Sequence, residues 1–191
     1  MKIFVLVNNY FPSNMESPQG WYILADSAMT NTGKPFFLPE NPGEVTATLG
    51  LGIKISRLGK HVDAKFADRY YTEWAPMVHF VLKSYENELK SEGLPLDPAR
   101  NFDRALFVGD FQHKDELKDF QLYKDGKVVA DFSILQMVHP INEIIKKVSE
   151  LNTLKIGDVI VAALTQPINV ETGDFFEVKA LEERLFHVKV K

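Results

Sequence analysis

The side chains best suited to chemistry are scattered through this sequence rather than gathered into a known catalytic motif. The five histidines show no metal-ligand spacing, so each is interpreted as a surface or hydrogen-bonded histidine; they stand at positions 61, 79, 113, 139 and 187. The sequence contains no Gly-x-Ser-x-Gly motif, no phosphate loop ending in Gly-Lys-Ser/Thr and no His-Glu-x-x-His. It also has no cysteine, which excludes disulfides and thiolate metal sites.

The composition of the 191 residues excludes several classes of partner. The net charge is −4 and the Lys and Arg residues are dispersed, so the basic surface of a nucleic-acid-binding protein is missing. No apolar run approaches the roughly 20 residues of a membrane helix, and the apolar stretch Ile3 to Val7 is too short for a signal peptide. We therefore expect a cytoplasmic protein with neither a nucleic-acid nor a membrane partner.

Residues 43–59, GEVTATLGLGIKISRLG, form the clearest strand in the sequence. Its apolar residues alternate with a second row that is small or hydroxylic, without charge between Glu44 and Lys54; that row is Thr46, Thr48, Gly50 and Gly52. A strand with this pattern buries one face and presents a neutral face to whatever lies opposite.

The other elements predict an α+β domain. Strand patterns cover 2–8, 69–82, 104–111, 118–123, 127–134, 158–164, 175–180 and 185–190. Tyr123-Lys124-Asp125-Gly126-Lys127 predicts a hairpin, and helices are predicted after Ser84 and after Pro140. Many strands with few helices between them indicate one domain over residues 1–191, built on a curved, mixed sheet.

Several short motifs occur in an order that resembles the fumarylacetoacetate hydrolase family. NNYFPSNMES is followed by YILADSAM, GKPFFLP, GEVTATLGLGIKISRLGKHV, SELNTLKIGDVIVAALTQP and VETGDFFEV. The most specific part is LKIGDVI followed by a second Gly-Asp 16 residues later. The resemblance spans nearly the whole chain and implies a mixed β-roll or pseudo-barrel with a few short helices. It also implies C–C bond hydrolysis, decarboxylation or tautomerisation of keto acids through a metal-bound enolate.

The resemblance implies a Mg²⁺ site whose carboxylates this sequence lacks. The family's Glu-x-Glu pair falls on Thr48 and Gly50, and its metal-binding Asp falls near Val78; a family Arg becomes Leu82. Hard divalent ions need several anionic oxygens at once. We therefore expect no metal at Thr48, Gly50 and Val78, and no cofactor.

Other family positions keep part of their chemistry. The His-x-x-Glu dyad becomes Ser13 and Glu16, so the acid remains while the imidazole base is lost. A family Lys falls on Arg100, which keeps the charge but cannot act as a base. The resemblance also points to Tyr10 of the Asn-Tyr pair and, less closely, to Thr165 of the Gly-Thr-Pro loop. Substrate contacts are thus assigned to Tyr10, Glu16, Arg100 and Thr165, with Glu16 and Arg100 as the catalytic candidates.

Each candidate also has a purely structural interpretation. Tyr10 could be a half-buried aromatic, Glu16 a solvated loop residue, and Arg100 a surface partner of Asp97 or Asp103. Arg100 and Glu16 are nevertheless predicted to approach one shared cavity, where they could hold a small keto acid.

Two further groups of residues allow more than one interpretation. Glu40, Glu44 and Glu73 could form a displaced metal site, although three carboxylates from separate loops more often lie near one another by chance. The aromatic run at 70, 71 and 74 indicates core or subunit contact rather than a substrate platform.

Three functions remain open at this stage. The first is a pseudoenzyme that keeps the fold, has lost the metal and binds a small keto acid. The second is an active hydrolase, isomerase or decarboxylase that uses Glu16 and Arg100. The third is a structural or interaction protein whose pocket is filled by leucine and aromatic side chains. A homodimer is expected from the family resemblance, from the aromatic segment YYTEW and from the apolar strand LFHVKV.

Overall fold

The computed structural model describes residues 1–11, 20–31 and 33–191. The strands are β1 (Ile3–Val7), β2 (Gly20–Leu24), β3 (Met29–Asn31), β4 (Val45–Ile55), β5 (Tyr71–Leu82), β6 (Leu106–Val108), β7 (Gln112–His113), β8 (Phe120–Lys124), β9 (Lys127–Phe132), β10 (Val159–Leu164), β11 (Ile168–Val170), β12 (Phe175–Ala180) and β13 (Glu183–Lys189). The helices are α1 (Ala64–Ala67), α2 (Lys83–Ser91), α3 (Asp97–Arg100) and α4 (Ile141–Leu151). Within these residues, no helix is long and apolar enough to cross a membrane.

The strands form two sheets. The larger is mixed and has the order β2-β1-β10-β4-β5-β6-β3, with β11 paired to β4 and β7 paired to β5. The smaller is antiparallel and has the order β13-β12-β8-β9. A curved mixed sheet with few short helices confirms the α+β class and the β-roll predicted from the sequence.

The two faces of the larger sheet pack into separate apolar clusters. The odd-numbered residues of β4, from Val45 to Ile55, lie in the first cluster, which also contains the buried face of α4 and the inner side chains of the smaller sheet. The second cluster contains Met77, Val161 and parts of β1 and β6. Because side chains alternate along a strand, Thr48 and Gly50 face the second cluster.

The ends of the chain segment are joined through the larger sheet. Strand β1 pairs in parallel with β10, and Lys2 forms a 2.8 Å ion pair with the buried Asp158. The backbone N–H of Lys2 also donates to Asp158 Oδ1. Burial raises the pKa of Asp158, but hydrogen bonds from Lys2 and Lys155 outweigh burial and hold it below its ordinary value.

Ser84, which was predicted to cap helix α2, makes a different hydrogen bond in the structure. Helix α2 begins at Lys83, and Leu82 is its N-cap residue. The hydroxyl of Ser84 accepts a 2.8 Å hydrogen bond from the backbone N–H of Glu44 instead. The predicted helix cap thus holds the loop before β4, because Ser84 lies one residue inside the helix.

Candidate functional site

The neutral row of β4 lies beside Met77 and His79 of β5. The register pairs Thr48 with His79 and Gly50 with Met77. Val78 pairs with Leu49, and both belong to the first cluster on the opposite face. The side chains that share a face with Thr48 and Gly50 are therefore those of His79 and Met77, and Val78 cannot complete a site with them.

The space beside the two glycines of this row is already filled. A Cβ at Gly50 would lie 2.7 Å from Leu164 Cδ2 and 2.8 Å from the carbonyl oxygen of Ala163. A Cβ at Gly52 would overlap the end of the Met77 side chain. The row is thus neutral, and at Gly50 the backbone oxygen of Ala163 leaves no room for a carboxylate, whereas at Gly52 the space is filled by the flexible end of Met77.

His79 is fully buried and has two polar partners. Its Nε2 lies 3.0 Å from the carbonyl oxygen of Arg100, which can only accept, so Nε2 carries the proton. Its Nδ1 then accepts from the hydroxyl of Tyr22 at 3.3 Å. Burial lowers the pKa of His79 to about 4, so the imidazole is neutral at pH 7. Burial also raises the pKa of Tyr22, which keeps its phenol protonated.

Arg100 lies over this pair and is held by a carboxylate. Its guanidinium stacks on the ring of Tyr22 at 4.9 Å, and its Nε donates to Glu86 Oε1 at 2.6 Å. Lys83 donates to the other oxygen, Oε2, at 2.7 Å. Burial raises the pKa of Glu86, but the hydrogen bonds from Lys83 and Arg100 outweigh burial and hold it below its ordinary value. We call Tyr22, His79, Lys83, Glu86 and Arg100 the Arg100 cluster.

Tyr10 and Thr165 line a separate cleft of about 320 Å³ on the side of the first cluster. The hydroxyl of Tyr10 lies 3.0 Å from the carbonyl oxygen of Asp131 and accepts a 2.9 Å bond from the backbone N–H of Ser133. Burial raises the pKa of Tyr10. The hydroxyl of Thr165 accepts from the backbone N–H of Leu49 at 3.1 Å. Both hydroxyls therefore make structural hydrogen bonds at the edge of this cleft.

The structure brings Tyr10 and Thr165 together and places Arg100 elsewhere. Tyr22, on which Arg100 stacks, packs against the second cluster, whereas Tyr10 belongs to the first. Arg100 pairs with Glu86 rather than with the predicted Asp97 or Asp103. Ser13 and Glu16 lie outside the described residues, so the shared cavity of Glu16 and Arg100 stays a prediction.

Among the remaining acidic and aromatic candidates, Glu73, Tyr71 and Trp74 have structural roles. Glu73 forms a 2.9 Å ion pair with Lys54. In the described part of the chain, no group of three or more His, Asp or Glu residues is arranged to hold a metal ion. The run at 70, 71 and 74 was predicted to make core or subunit contact; Tyr71 and Trp74 are buried in the first cluster, and Tyr70 packs against it, which agrees with the core alternative.

Three members of the Arg100 cluster, Tyr22, Lys83 and Glu86, were not identified from the sequence. Tyr22 lies in YILAD, which carries no strand alternation, and Glu86 reads as an exposed residue of a charged helix. The contact with Arg100 depends on how α2 and α3 pack, and residue spacing does not reveal such packing. One signal was present, since His79 lies within the apolar stretch MVHFVL, where a histidine is buried.

Comparison with known protein families shows to which family the chain belongs. The family model described as fumarylacetoacetate (FAA) hydrolase C-terminal matches residues 7–183. The chain belongs to the fumarylacetoacetate hydrolase family. The mitochondrial oxaloacetate tautomerase of Rattus norvegicus is 25% identical over 162 residues, which are 82% of this chain and 73% of that protein. The mitochondrial oxaloacetate decarboxylase of Dictyostelium discoideum is 24% identical over 131 residues, and the match covers 66% of this chain and 60% of that protein.

Solved structures of the fumarylacetoacetate hydrolase family share the fold. Fumarylpyruvate hydrolase from Pseudomonas aeruginosa, solved with Mn²⁺ and pyruvate, has a TM-score of 0.90 at 16% identity and covers 100% of this chain and 89% of that one. The 5-carboxymethyl-2-hydroxymuconate delta-isomerase from Mycobacterium smegmatis has a TM-score of 0.86 at 18% identity, with 99% and 78% covered. At these identities the likeness establishes the architecture alone.

The residues described here do not fit the divalent ion that the fumarylacetoacetate hydrolase family implies. On the face of Thr48, the available donors are one neutral hydroxyl, the Met77 thioether and an imidazole nitrogen that already accepts from Tyr22. Mg²⁺ and Mn²⁺ prefer carboxylate, carbonyl and water oxygens, and Mg²⁺ gives up its water reluctantly. Gly50 offers no donor and has no room for one.

Proposed function

We propose that this chain is a family member without divalent-metal chemistry that binds a small keto acid at the Arg100 cluster and does not turn it over. The observation that carries the proposal is the packing of Leu164 and the Ala163 carbonyl against Gly50, where the family resemblance predicts a metal-binding carboxylate. The names of the relatives, which include oxaloacetate and fumarylpyruvate enzymes, support the class of ligand.

The groups of the Arg100 cluster favour binding over catalysis. A guanidinium binds a carboxylate well but does not remove a proton, because it is a permanent cation with no lone pair to accept one. His79 is fully buried, and its one free lone pair already accepts from Tyr22. A metal-bound enolate needs a Lewis acid beside it, and among the described residues the β4 face around Thr48 and Gly50 has no group of carboxylates that would hold one. The cluster thus offers positive charge for an acid, without a base for a reaction.

Calorimetry and an activity assay test this function. We expect no stoichiometric binding of Mg²⁺ or Mn²⁺ and no chelator-sensitive hydrolysis of an acylpyruvate or decarboxylation of oxaloacetate, because the donor set is neutral. Pyruvate is expected to bind the wild-type protein and not the Arg100→Gln variant. Stoichiometric metal binding at the β4 face, or turnover abolished by a chelator, would overturn the proposal.

Two alternatives correspond to other outcomes of the same experiment. Turnover that survives the chelator and is lost in both Glu16→Gln and Arg100→Gln supports an active enzyme of keto acids. Absence of any keto-acid binding supports the structural or interaction protein, which the packing of Met77 and Leu164 against the β4 glycines favours. The cytoplasm remains the proposed location.

We also propose a homodimer, but through a different surface from the predicted one. Tyr71 and Trp74 are buried within the chain, and the end of β13 is covered by hydrogen bonds with residues 36 and 38. Strand β9 is instead an edge of the smaller sheet whose outer side pairs with no other described strand, and it carries the exposed Val128 and Val129. Leu135, which is 91% exposed, follows this strand closely.

Sedimentation tests the dimer and its surface. We expect the wild-type protein to sediment as a dimer at micromolar concentration and the Leu135→Asp variant to sediment as a monomer, because a charge is costly inside an apolar interface. Leu151→Asp is the matched control, since Leu151 is also exposed but ends α4. A monomeric wild-type protein contradicts the dimer, and a dimeric Leu135→Asp variant contradicts the surface.

A further inference from the structure

Two loops at one end of the larger sheet are joined to each other by backbone hydrogen bonds. They are residues 56–60, which follow β4, and residues 151–157, which run from the end of α4 towards β10. Gly59 and Leu154 exchange two backbone hydrogen bonds, of 3.1 and 2.8 Å, and Ile55 makes two more of 2.8 Å at the other end of the second loop. The two loops thus form one fixed surface, which we call the two-loop tip.

The two-loop tip exposes three large aliphatic side chains. Leu58 is 67% exposed, Leu151 is 74% exposed and Ile156 is 73% exposed. Leu58 and Ile156 lie on the facing loops, between the bonded ends. Leu151 is held beside them, because Lys60 Nζ donates a 3.0 Å hydrogen bond to the carbonyl oxygen of Glu150. Single exposed apolar residues are ordinary, whereas several on one surface indicate contact with a partner.

The charge of the two-loop tip is opposite to that of the whole chain. The tip contains Arg57, Lys60 and Lys155 and no acidic residue, whereas the chain has a net charge of −4. Arg57 and Lys155 are exposed, and neither side chain forms an ion pair or hydrogen bond with residues 1–11, 20–31 or 33–191. Each of these two is followed in the sequence by one of the exposed aliphatic residues. The tip therefore combines unpaired positive charge with apolar surface.

We propose that the two-loop tip docks on an anionic lipid surface, with its aliphatic side chains in the interfacial layer and its basic side chains at the headgroups. Aliphatic residues beside Lys and Arg suit the boundary between headgroups and acyl chains. Each basic residue near such a surface strengthens binding about fivefold. The sequence predicted no membrane partner because the chain has no apolar run long enough to span a bilayer, and a peripheral contact does not need one.

A second copy of the chain and an acidic protein fit the tip less well. In a two-fold dimer the same surface meets itself, so each copy would face a surface of its own sign. The cores of protein interfaces are rich in aromatic residues and poor in lysine, whereas the tip is aliphatic and contains two lysines. Glu150 and Asp158 border the tip, but Asp158 is buried in its ion pair with Lys2. The surface offered to a partner therefore stays positive.

Sedimentation of the full chain with lipid vesicles tests the inference. The wild-type protein is expected to pellet with mixed vesicles of phosphatidylserine and phosphatidylcholine and to stay in solution with pure phosphatidylcholine. Arg57→Gln and Lys155→Gln are each expected to weaken binding to mixed vesicles about fivefold, and Leu58→Ser about tenfold. Wild-type binding is also expected to weaken at about 1 M salt, where charges are screened within ~3 Å.

Lys90→Gln and Leu181→Ser are the matched controls. Lys90 is exposed on α2, which lies beside the other end of β4, where Ser84 bonds to Glu44. Leu181 is exposed in the turn between β12 and β13 of the smaller sheet. Both variants change the same kinds of side chain away from the tip, and both are expected to bind mixed vesicles as the wild type does. Circular dichroism establishes that each variant is folded.

Each outcome supports or overturns the inference. Absence of wild-type binding to mixed vesicles, or equal binding to pure phosphatidylcholine, overturns it. Unchanged binding in the three folded tip variants overturns the location. A wild-type dimer that Leu58→Ser dissociates assigns the tip to a second copy, and binding to polyglutamate without binding to vesicles assigns it to an acidic protein; either result also overturns the lipid surface. Pyruvate binding is measured separately, so the proposed function stands or falls independently.

Discussion

We expect the Gly50→Ala substitution to lower the free energy of unfolding by about 3 kcal/mol, at the upper end of the usual cost of overpacking. The added methyl group would lie 2.8 Å from the carbonyl oxygen of Ala163, which belongs to the backbone of β10 and cannot rotate away. Strand β10 pairs with β4 at this point, so relief requires the two strands to separate. Urea unfolding measures the change.

Gly20→Ala is the matched control for this substitution. Gly20 also lies in a strand of the larger sheet, but among residues 1–11, 20–31 and 33–191 a Cβ there meets no atom within 4 Å. We expect that variant to stay within about 0.5 kcal/mol of the wild type. If Gly50→Ala is equally neutral, then the β4 face is looser than described and a side chain at position 50 can be accommodated.

We expect the stability of the protein to fall by about 2 kcal/mol between pH 7 and pH 5 because of His79 alone. The folded-state pKa of His79 is about 4, and its ordinary value is 6.5. Between these values the unfolded chain binds a proton that the folded chain does not bind. Stability is therefore complete above the unfolded pKa and decreases as the pH falls from about 6.5 towards 4.

Urea unfolding of wild type and His79→Gln at pH 7 and pH 5 isolates this contribution. The variant cannot take up the proton, so its loss of stability over this range is expected to be smaller by about 2 kcal/mol. Glu86 and Asp158 also have lowered pKa values, but their ordinary values are 4.5 and 3.8, so their effect falls mostly below pH 5. His113→Gln, at an exposed position, is the control. Equal pH dependence of wild type and His79→Gln contradicts the assignment.

The longer elements of the fold, whose hydrophobic pattern repeats several times, could be predicted from the sequence. The alternation over residues 45–56 predicted β4 with an error of one residue at its end. Asp125-Gly126 predicted the turn of the β8–β9 hairpin, where both residues have positive φ. The apolar face of α4 was equally clear. Strands β3 and β11, each of three residues, were missed because two or three residues carry no measurable period.

The candidate site could be predicted only in part. Much of the disagreement between the predicted and the observed site comes from a displacement of one residue along β5. The family resemblance placed the third metal position near Val78, but alternation along β5 turns Val78 to the first cluster and His79 to the side of Thr48. A shift of one residue reverses the face of every side chain in a strand. The partners of Arg100 required the packing of two helices and β2, which are distant along the chain.

The parallel pairing of β1 with β10 has a consequence for how the protein is made. Ile3 pairs with Val159, so the first strand leaves the ribosome more than 150 residues before its partner. At synthesis rates of about 5–20 residues per second, β1 waits roughly 8 to 30 s for β10. During that time one side of an apolar strand is unpaired. Closure of so long a loop also makes the last steps of folding slow, so a nascent chain of this protein has a strong need of chaperones.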